Sequence, residues 1–250
     1  MESSTVVTHD WAAEVERLNG ITDAVDLLTE VFRTFGKRAA IGTSGQLSGV
    51  TLVDLAYRTG LPFRAFAVDT LRLHPSTYKL WDDLQKRYGF ELEIFRPDPE
   101  HVDKMVRQHG EYLFFDSQSK QEYCCEVRKV RPNDRALASL DVWITGLRRD
   151  QSSARKTTPR CTMVEEGGRS ILKVAPLVEW SEEDVWNYIR EFDVPYDAMF
   201  DPLPNGARYP SLGCIICTTP ILPHEPLRAG RWRWFNAKGD DAKECGIHVR

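Results

Sequence analysis

The sequence predicts an α/β fold, a doubly wound and mostly parallel sheet with a flexible C-terminal arm. Three observations lead there. Short apolar runs alternate with longer amphipathic stretches through about residue 205, the pattern of right-handed βαβ units covered on both faces. Several amphipathic stretches open on a capping residue and close on glycine, as helices do. From about Gly206 the periodicity dissolves into segments rich in Pro, Gly, Arg and Trp, which read as loop. Residues 1–205 are therefore taken as the α/β domain and residues 206–250 as an arm of that same domain.

The elements follow in order. "TDAVDLLTEVFRTFG" offers Thr22 as N-cap, Val25, Leu28, Val31 and Phe32 on one face, and Gly36 as terminator. "RAAIGTS" reads as a short buried strand, followed by the helix "SGVTLVDLAYRTG" ending at Gly60. "FRAFAVD" is a strand, "PSTYKLWDDLQKRYG" a helix, "ELEIFRP" a strand and "PEHVDKMVRQHG" a helix. "DVWITGL" and "ILKVAPL" are later strands, and "SEEDVWNYIREF" is a helix opening on a capping box from Ser181 to Asp184.

Composition narrows the function class. No apolar run approaches the ~20 residues of a membrane helix. "MESSTVVTHDWAAEVE" has neither the basic start nor the apolar core of a signal peptide, so the expected location is cytoplasmic and no membrane partner is expected. A net charge of −4 gives no general nucleic-acid footprint. Basic residues instead cluster in "CCEVRKVR", "GLRRDQSSARK" and "LRAGRWR", which suits a small anion better than a polyanion.

Six cysteines, at 124, 125, 161, 214, 217 and 245, point to metal binding or chemistry rather than disulfides in a reducing compartment. Cys124–Cys125 is an adjacent pair and Cys214-x-x-Cys217 a chelating one. Four thiols suit tetrahedral zinc or an iron–sulfur cluster, and buried inert thiols are the bland alternative. On a helix the adjacent pair diverges by about 100°, which strains a chelate. Cys161 has no partner nearby and reads as structural, whereas Cys245 follows the polar run "NAKGDDAKE" on a tail.

Taken together, "CCEVRKVRP", "TGLRRDQS", "YPSLGCIIC", "GRWRW" and "KECGIH" resemble the assimilatory sulfonucleotide reductases, which reduce adenylyl sulfate (APS) or phosphoadenylyl sulfate (PAPS). The resemblance implies the adenine-nucleotide α-hydrolase (PP-loop) fold and makes the α/β domain nucleotide-binding. It implies Cys245 as the catalytic thiol, attacking the sulfonate and carrying it as an S-sulfo adduct to thioredoxin or a glutaredoxin-like reductant. It also implies a [4Fe–4S] cluster on Cys124, Cys125, Cys214 and Cys217, the mark of the branch that typically uses APS. Arg228 and Arg231 would face the phosphosulfate, and Lys129 would link the cluster region to the substrate.

Other contacts are read from position. Arg148 and Arg149 follow the strand "DVWITGL", where such sheets open onto their ligands. Thr43, Ser44 and Gly45 are candidates for ribose, phosphate or adenine. Asp69, in "DTLRLHPST", either touches substrate or orients its loop. His248 lies three residues past Cys245, placed to lower the thiol pKa or to bind phosphate. Arg128, Arg155 and Arg233 are read as solvated charges. The loop "GTSGQLSGV" departs from the family pattern, which keeps PAPS open as the substrate. A tRNA-thiolating PP-loop enzyme and a zinc-stapled nucleotide-binding module are the other readings, and a homo-oligomer is left open.

Overall fold

A computed structural model describes residues 10–166 and 168–235. The elements run α1 (Trp11–Asn19), α2 (Ala24–Phe35), β1 (Ala39–Gly42), α3 (Leu47–Arg58), β2 (Arg64–Val68), α4 (Pro75–Tyr88), β3 (Leu92–Phe95) and α5 (Pro99–His109). They continue with α6 (Gln118–Cys125), α7 (Arg131–Leu137), β4 (Val142–Thr145), β5 (Cys161–Glu166), β6 (Arg169–Val174) and α8 (Glu182–Glu191). The six strands form one sheet in the order β3-β2-β1-β4-β6-β5, parallel throughout except for the β5–β6 pair. Strand order reverses between β1 and β4, and doubly wound sheets take their ligands at the carboxyl ends of the strands there.

Alternation along the central strands builds two cores. Ala39, Ile41, Ala65, Ala67, Val142, Ile144, Leu172 and Val174 face a cluster containing Leu27, Leu28, Val31 and Leu52 of α2 and α3. The intervening residues Ala40, Phe66, Trp143 and Ile171 face the other side, because successive strand side chains point oppositely. There they meet Ala136 and Leu137 of α7 together with Cys217 and Trp232 of the arm. The arm thus helps to cover a face of the sheet, although its regular structure over residues 206–235 is one short 3-10 turn, Ile215–Cys217, and two isolated bridges, Arg208 to Ile221 and Thr218 to Arg231.

Several sequence expectations shift by a residue or gain an element. The cap of α2 is Asp23, one residue past Thr22, and its carboxylate accepts from Val25 and Asp26 N–H. α1 and β5 had not been expected. β5 is an edge strand, and its Cys161 N–H and C=O are both engaged by the Asn19 side chain of α1, at 2.9 and 3.0 Å. The capping box at Ser181 and Asp184 is present.

α3 is buried from Leu47 to Ala56 and carries Asp54 into the interior. The Asp54 carboxylate accepts from Tyr88 of α4 (2.9 Å), from Tyr188 of α8 and from Arg58. Removing one partner of a buried charged network leaves the others unsatisfied. Asp54→Ala is therefore expected to cost about 2–4 kcal/mol, read as a lower urea midpoint with an unchanged slope.

Candidate active site at the switch point

β1 and β4 end at the reversal of strand order, and a cleft opens there. Its walls include Thr43, Ser44 and Gln46 after β1, Thr70 after β2, and Thr145 and Gly146 at the end of β4. The arm supplies the opposite wall through Leu212, Gly213, Cys214, Cys217 and Trp232. The cleft encloses about 1420 Å³ including its open mouth, and the ring edges of Phe66, Trp143 and Trp232 give it apolar lining. Gly45, with φ of +77°, takes the left-handed turn that carries the chain from β1 towards α3.

Charge is one-sided. Arg128, Lys129, Arg155 and Arg231 line the cleft, and no Asp or Glu is among its described lining residues. Four cations, with no carboxylate among the described lining residues, suit an anion of multiple charge. Arg231 lies on the backbone of the arm: a Cβ at Gly213 would sit 2.1 Å from its Nη1. The same Nη1 donates to Thr218 Oγ1 at 3.1 Å.

The two cysteine pairs meet along this cleft. α6 ends at Cys125 and passes into a π turn over Glu126–Val130, with Arg131 N–H bonding to Glu126 C=O. Such turns recur at functional sites, and this one joins the Cys124–Cys125 pair to Arg128 and Lys129. The pair diverges as the helical geometry requires. Cys124 packs with Met105, Phe114 and Val127, and Cys125 packs towards the sheet face with Phe66 and Trp143. Cys214 Sγ lies 3.2 Å from Thr70 Oγ1, and Cys125 Sγ accepts from Gln121 Nε2 at 3.2 Å. Cys217 N–H donates to Cys214 C=O, closing the C-x-x-C turn.

Electrostatics couples these thiols. Burial pushes Cys217 up, and so do the neighbouring Cys214 and Cys125. Burial also raises Cys124, against the opposing pull of Arg72 and Arg128. Burial and the nearby Arg72 hold Arg128 below its ordinary value. Arg72 is ion-paired with Glu111 through Nη2, and Arg128 Nη1 donates to Thr70 C=O at 3.2 Å, but Arg72 Nη1 and Arg128 Nε are buried without a hydrogen-bond acceptor, so each guanidinium keeps one unsatisfied donor near the thiols. As placed, no group of three or more His, Cys, Asp or Glu among the described residues is arranged to hold a metal ion. The fit to a metal–thiolate group is one of donor chemistry: four thiols on two segments of one cleft, with buried cations beside them.

The remaining candidates divide. Lys129, Arg231, Thr43 and Ser44 line the cleft. Arg148 does not: its guanidinium binds Asp150 at 2.9 Å and Ser48 Oγ. Arg149 turns away to Glu179 (3.2 Å) and to the Thr158 carbonyl (3.0 Å). Arg228 is half-buried off the lining, and its carbonyl accepts from Arg231 N–H. Asp69 is buried and orients its loop, accepting from Leu71 N–H (2.8 Å), Tyr78 OH (2.8 Å) and Arg96 Nε (3.0 Å). Cys245 and His248 lie outside the described residues. Arg128 and Arg155, read from sequence as solvated, are on the cleft wall, and the four-residue spacing from Cys124 to Arg128 was the signal that could have found the first.

Comparison with known proteins decides the family. Residues 38–220 match the phosphoadenosine phosphosulfate reductase domain. The chain belongs to the phosphoadenosine phosphosulfate reductase family. Its relatives include an adenosine 5'-phosphosulfate reductase of Burkholderia cepacia, 37% identical over 99% of this chain and 92% of that protein. One of Allochromatium vinosum with the same name is 38% identical over 91% and 84%. A probable chloroplastic 5'-adenylylsulfate reductase of rice is 38% identical, but this chain spans only 49% of it. Among solved structures, the phosphate complex of the PAPS reductase from Candida auris superposes with a TM-score of 0.67 at 25% identity, covering 88% of this chain and 99% of that one. A Candida glabrata FMN adenylyltransferase shares the fold, with a TM-score of 0.53 at 15% identity over 85% and 65%.

Cys161 lies apart from the cleft. It is buried on β5, and burial pushes its thiol up to about 12. At pH 8 it is almost wholly protonated, and the thiolate is the nucleophile. In native protein iodoacetamide is expected to leave Cys161 unlabelled over hours, and Cys161→Ser to leave metal content unchanged. Peptide mapping and metal analysis check both.

Proposed function

We propose that the protein reduces APS to sulfite and AMP, using thioredoxin or a similar dithiol as electron donor, in the assimilation of sulfate. The observation that carries this reading is the cleft at the switch point, lined by four cations and no described carboxylate, in a chain 37–38% identical to proteins named APS reductase. The α/β loops take the adenylate, as PP-loop folds do. Arg128, Lys129, Arg155 and Arg231 take the phosphosulfate.

The chemistry needs a soft nucleophile at sulfur. The Cys245 thiolate attacks the sulfonate sulfur, the bond from that sulfur to the bridging oxygen breaks, and AMP leaves with the electron pair. The enzyme then holds Cys245 as an S-sulfonate. A thiolate of the donor attacks the Cys245 sulfur and expels sulfite. The donor's second thiol resolves the mixed disulfide, so the dithiol is oxidised as sulfur is reduced by two electrons. The cleft cations meet charge that moves onto the departing phosphate, where preorganised donors count most. His248, three residues past Cys245 in sequence, is proposed to lower the thiol pKa or to bind phosphate.

A [4Fe–4S] cluster is part of the proposal, with Cys124, Cys125, Cys214 and Cys217 as its ligands. When bound, it would tie the arm to the end of α6 and bring negative charge near the buried, unsatisfied Arg72 Nη1 and Arg128 Nε donors. No helix among the described residues is long and apolar enough to cross a membrane.

The test is turnover. With thioredoxin present, kcat/KM for APS should exceed that for PAPS; a strong preference for PAPS would move the assignment to the second substrate. Anaerobically purified protein should contain about four iron and four sulfide per chain, and zinc without visible absorption would remove the cluster. Among the arginines, Arg155→Ala should lower kcat/KM for APS by about 10- to 100-fold, the loss of one charge-assisted contact. Arg149→Ala, directed away from the cleft, should change it less than threefold, and steady-state kinetics separate the two.

A further inference from the structure

We infer that Gln46 is a latch that fastens the C-x-x-C arm to the nucleotide-binding loop and that bound nucleotide holds it shut. The inference rests on the adenylate reading of the cleft. Gln46 precedes α3, just past the turn at Gly45. Its side chain does not cap that helix. Instead its Nε2 donates to Leu212 C=O at 2.8 Å, and its Oε1 accepts from Leu212 N–H at 3.0 Å. The side-chain amide therefore pairs with a backbone residue in both directions, across 166 positions of sequence. Gln is suited to this because its amide is donor and acceptor at once.

Position gives the pairing its consequence. Gln46 and Leu212 both line the cleft. Leu212 lies two residues before Cys214. Gly213 beneath it carries the guanidinium of Arg231, Cys214 touches Thr70, and Ile215 N–H bonds to Arg72 C=O. A ligand between the two walls contacts the β1 loop on one side and Leu212, Gly213 and Arg231 on the other. A ligand that gains contacts from both walls in the latched form raises the population of that form. Gln46 is thus a positioning residue: it touches the arm and sets where Arg231 and the C-x-x-C turn stand relative to the nucleotide.

The experiment uses full-length protein as purified, AMP as the probe, and amide hydrogen exchange read by mass spectrometry on a peptide containing Leu212. In the wild type, saturating AMP should slow exchange of the Leu212 amide about tenfold or more. Gln46→Met, close in volume but without donor or acceptor, should lose that AMP-dependent protection and bind AMP about 5- to 20-fold more weakly by calorimetry. Gln46→Glu keeps an oxygen for Leu212 N–H and should retain part of the protection. A purely structural glutamine would alter exchange equally with and without AMP. If either variant, saturated with AMP, protects Leu212 as the wild type does, the latch is overturned. If the wild type itself does not bind AMP, the adenylate reading fails and takes the latch with it.

Discussion

Cys245→Ser is expected to abolish sulfite formation, by at least 10³-fold in kcat, while leaving nucleotide binding intact. A serine hydroxyl without a base to activate it is a poor nucleophile, whereas the cleft that binds the nucleotide is built from other residues. The variant should bind AMP with wild-type affinity and keep the visible absorption of the unmodified protein. The companion experiment omits the reductant. Wild-type protein given APS alone should stop after one turnover, with one sulfonate added to the peptide containing Cys245, and thioredoxin should release it. A sulfonate on Cys161, or steady turnover by Cys245→Ser, would refute the mechanism.

The second large effect concerns Cys217. Its thiol is buried against the sheet with Trp232, Phe66 and Trp143, and neighbouring cysteines raise its pKa further. A buried thiol beside other cysteines is ill-suited to ionise alone and well suited to be a thiolate when a metal neutralises it. Cys217→Ser is expected to purify without the brown chromophore, with iron below a tenth of wild type and activity lost in parallel. Because the arm packs on the sheet through the same residue, its thermal midpoint should also fall by several degrees. Retained iron and colour in Cys217→Ser would remove Cys217 from the ligand set.

The sequence disclosed most where burial alone sets the pattern. β1, β2 and β4 are short apolar runs because both their faces are covered. β5 was missed because "CTMVEE" lies on an edge, with its last residues polar and its pairing antiparallel. The site was legible as motifs rather than as directions. The strand-end rule brought Arg148 and Arg149 to the crevice, but Asp150, only two residues on, takes the guanidinium of Arg148. Glu179, distant in sequence, takes that of Arg149. No spacing rule encodes which way a long side chain turns when a carboxylate competes for it. Arg128 went the other way: it reads as one more charge in "EVRKVR", yet the π turn carries it inward beside Cys124. Gln46 gave no signal because its partner is a peptide group, which every residue possesses.

The arm that walls the cleft also sets an order of events during synthesis. The sheet face holding Phe66 and Trp143 is covered in part by Cys217 and Trp232, which leave the ribosome long after the strands beneath them. Until then a nascent chain presents the part of that face outside the cover of α7, as a surface for a chaperone. At that stage the cleft lacks the wall made by Leu212, Gly213, Cys214, Cys217, Arg231 and Trp232, so its lining is completed only once translation has passed Trp232.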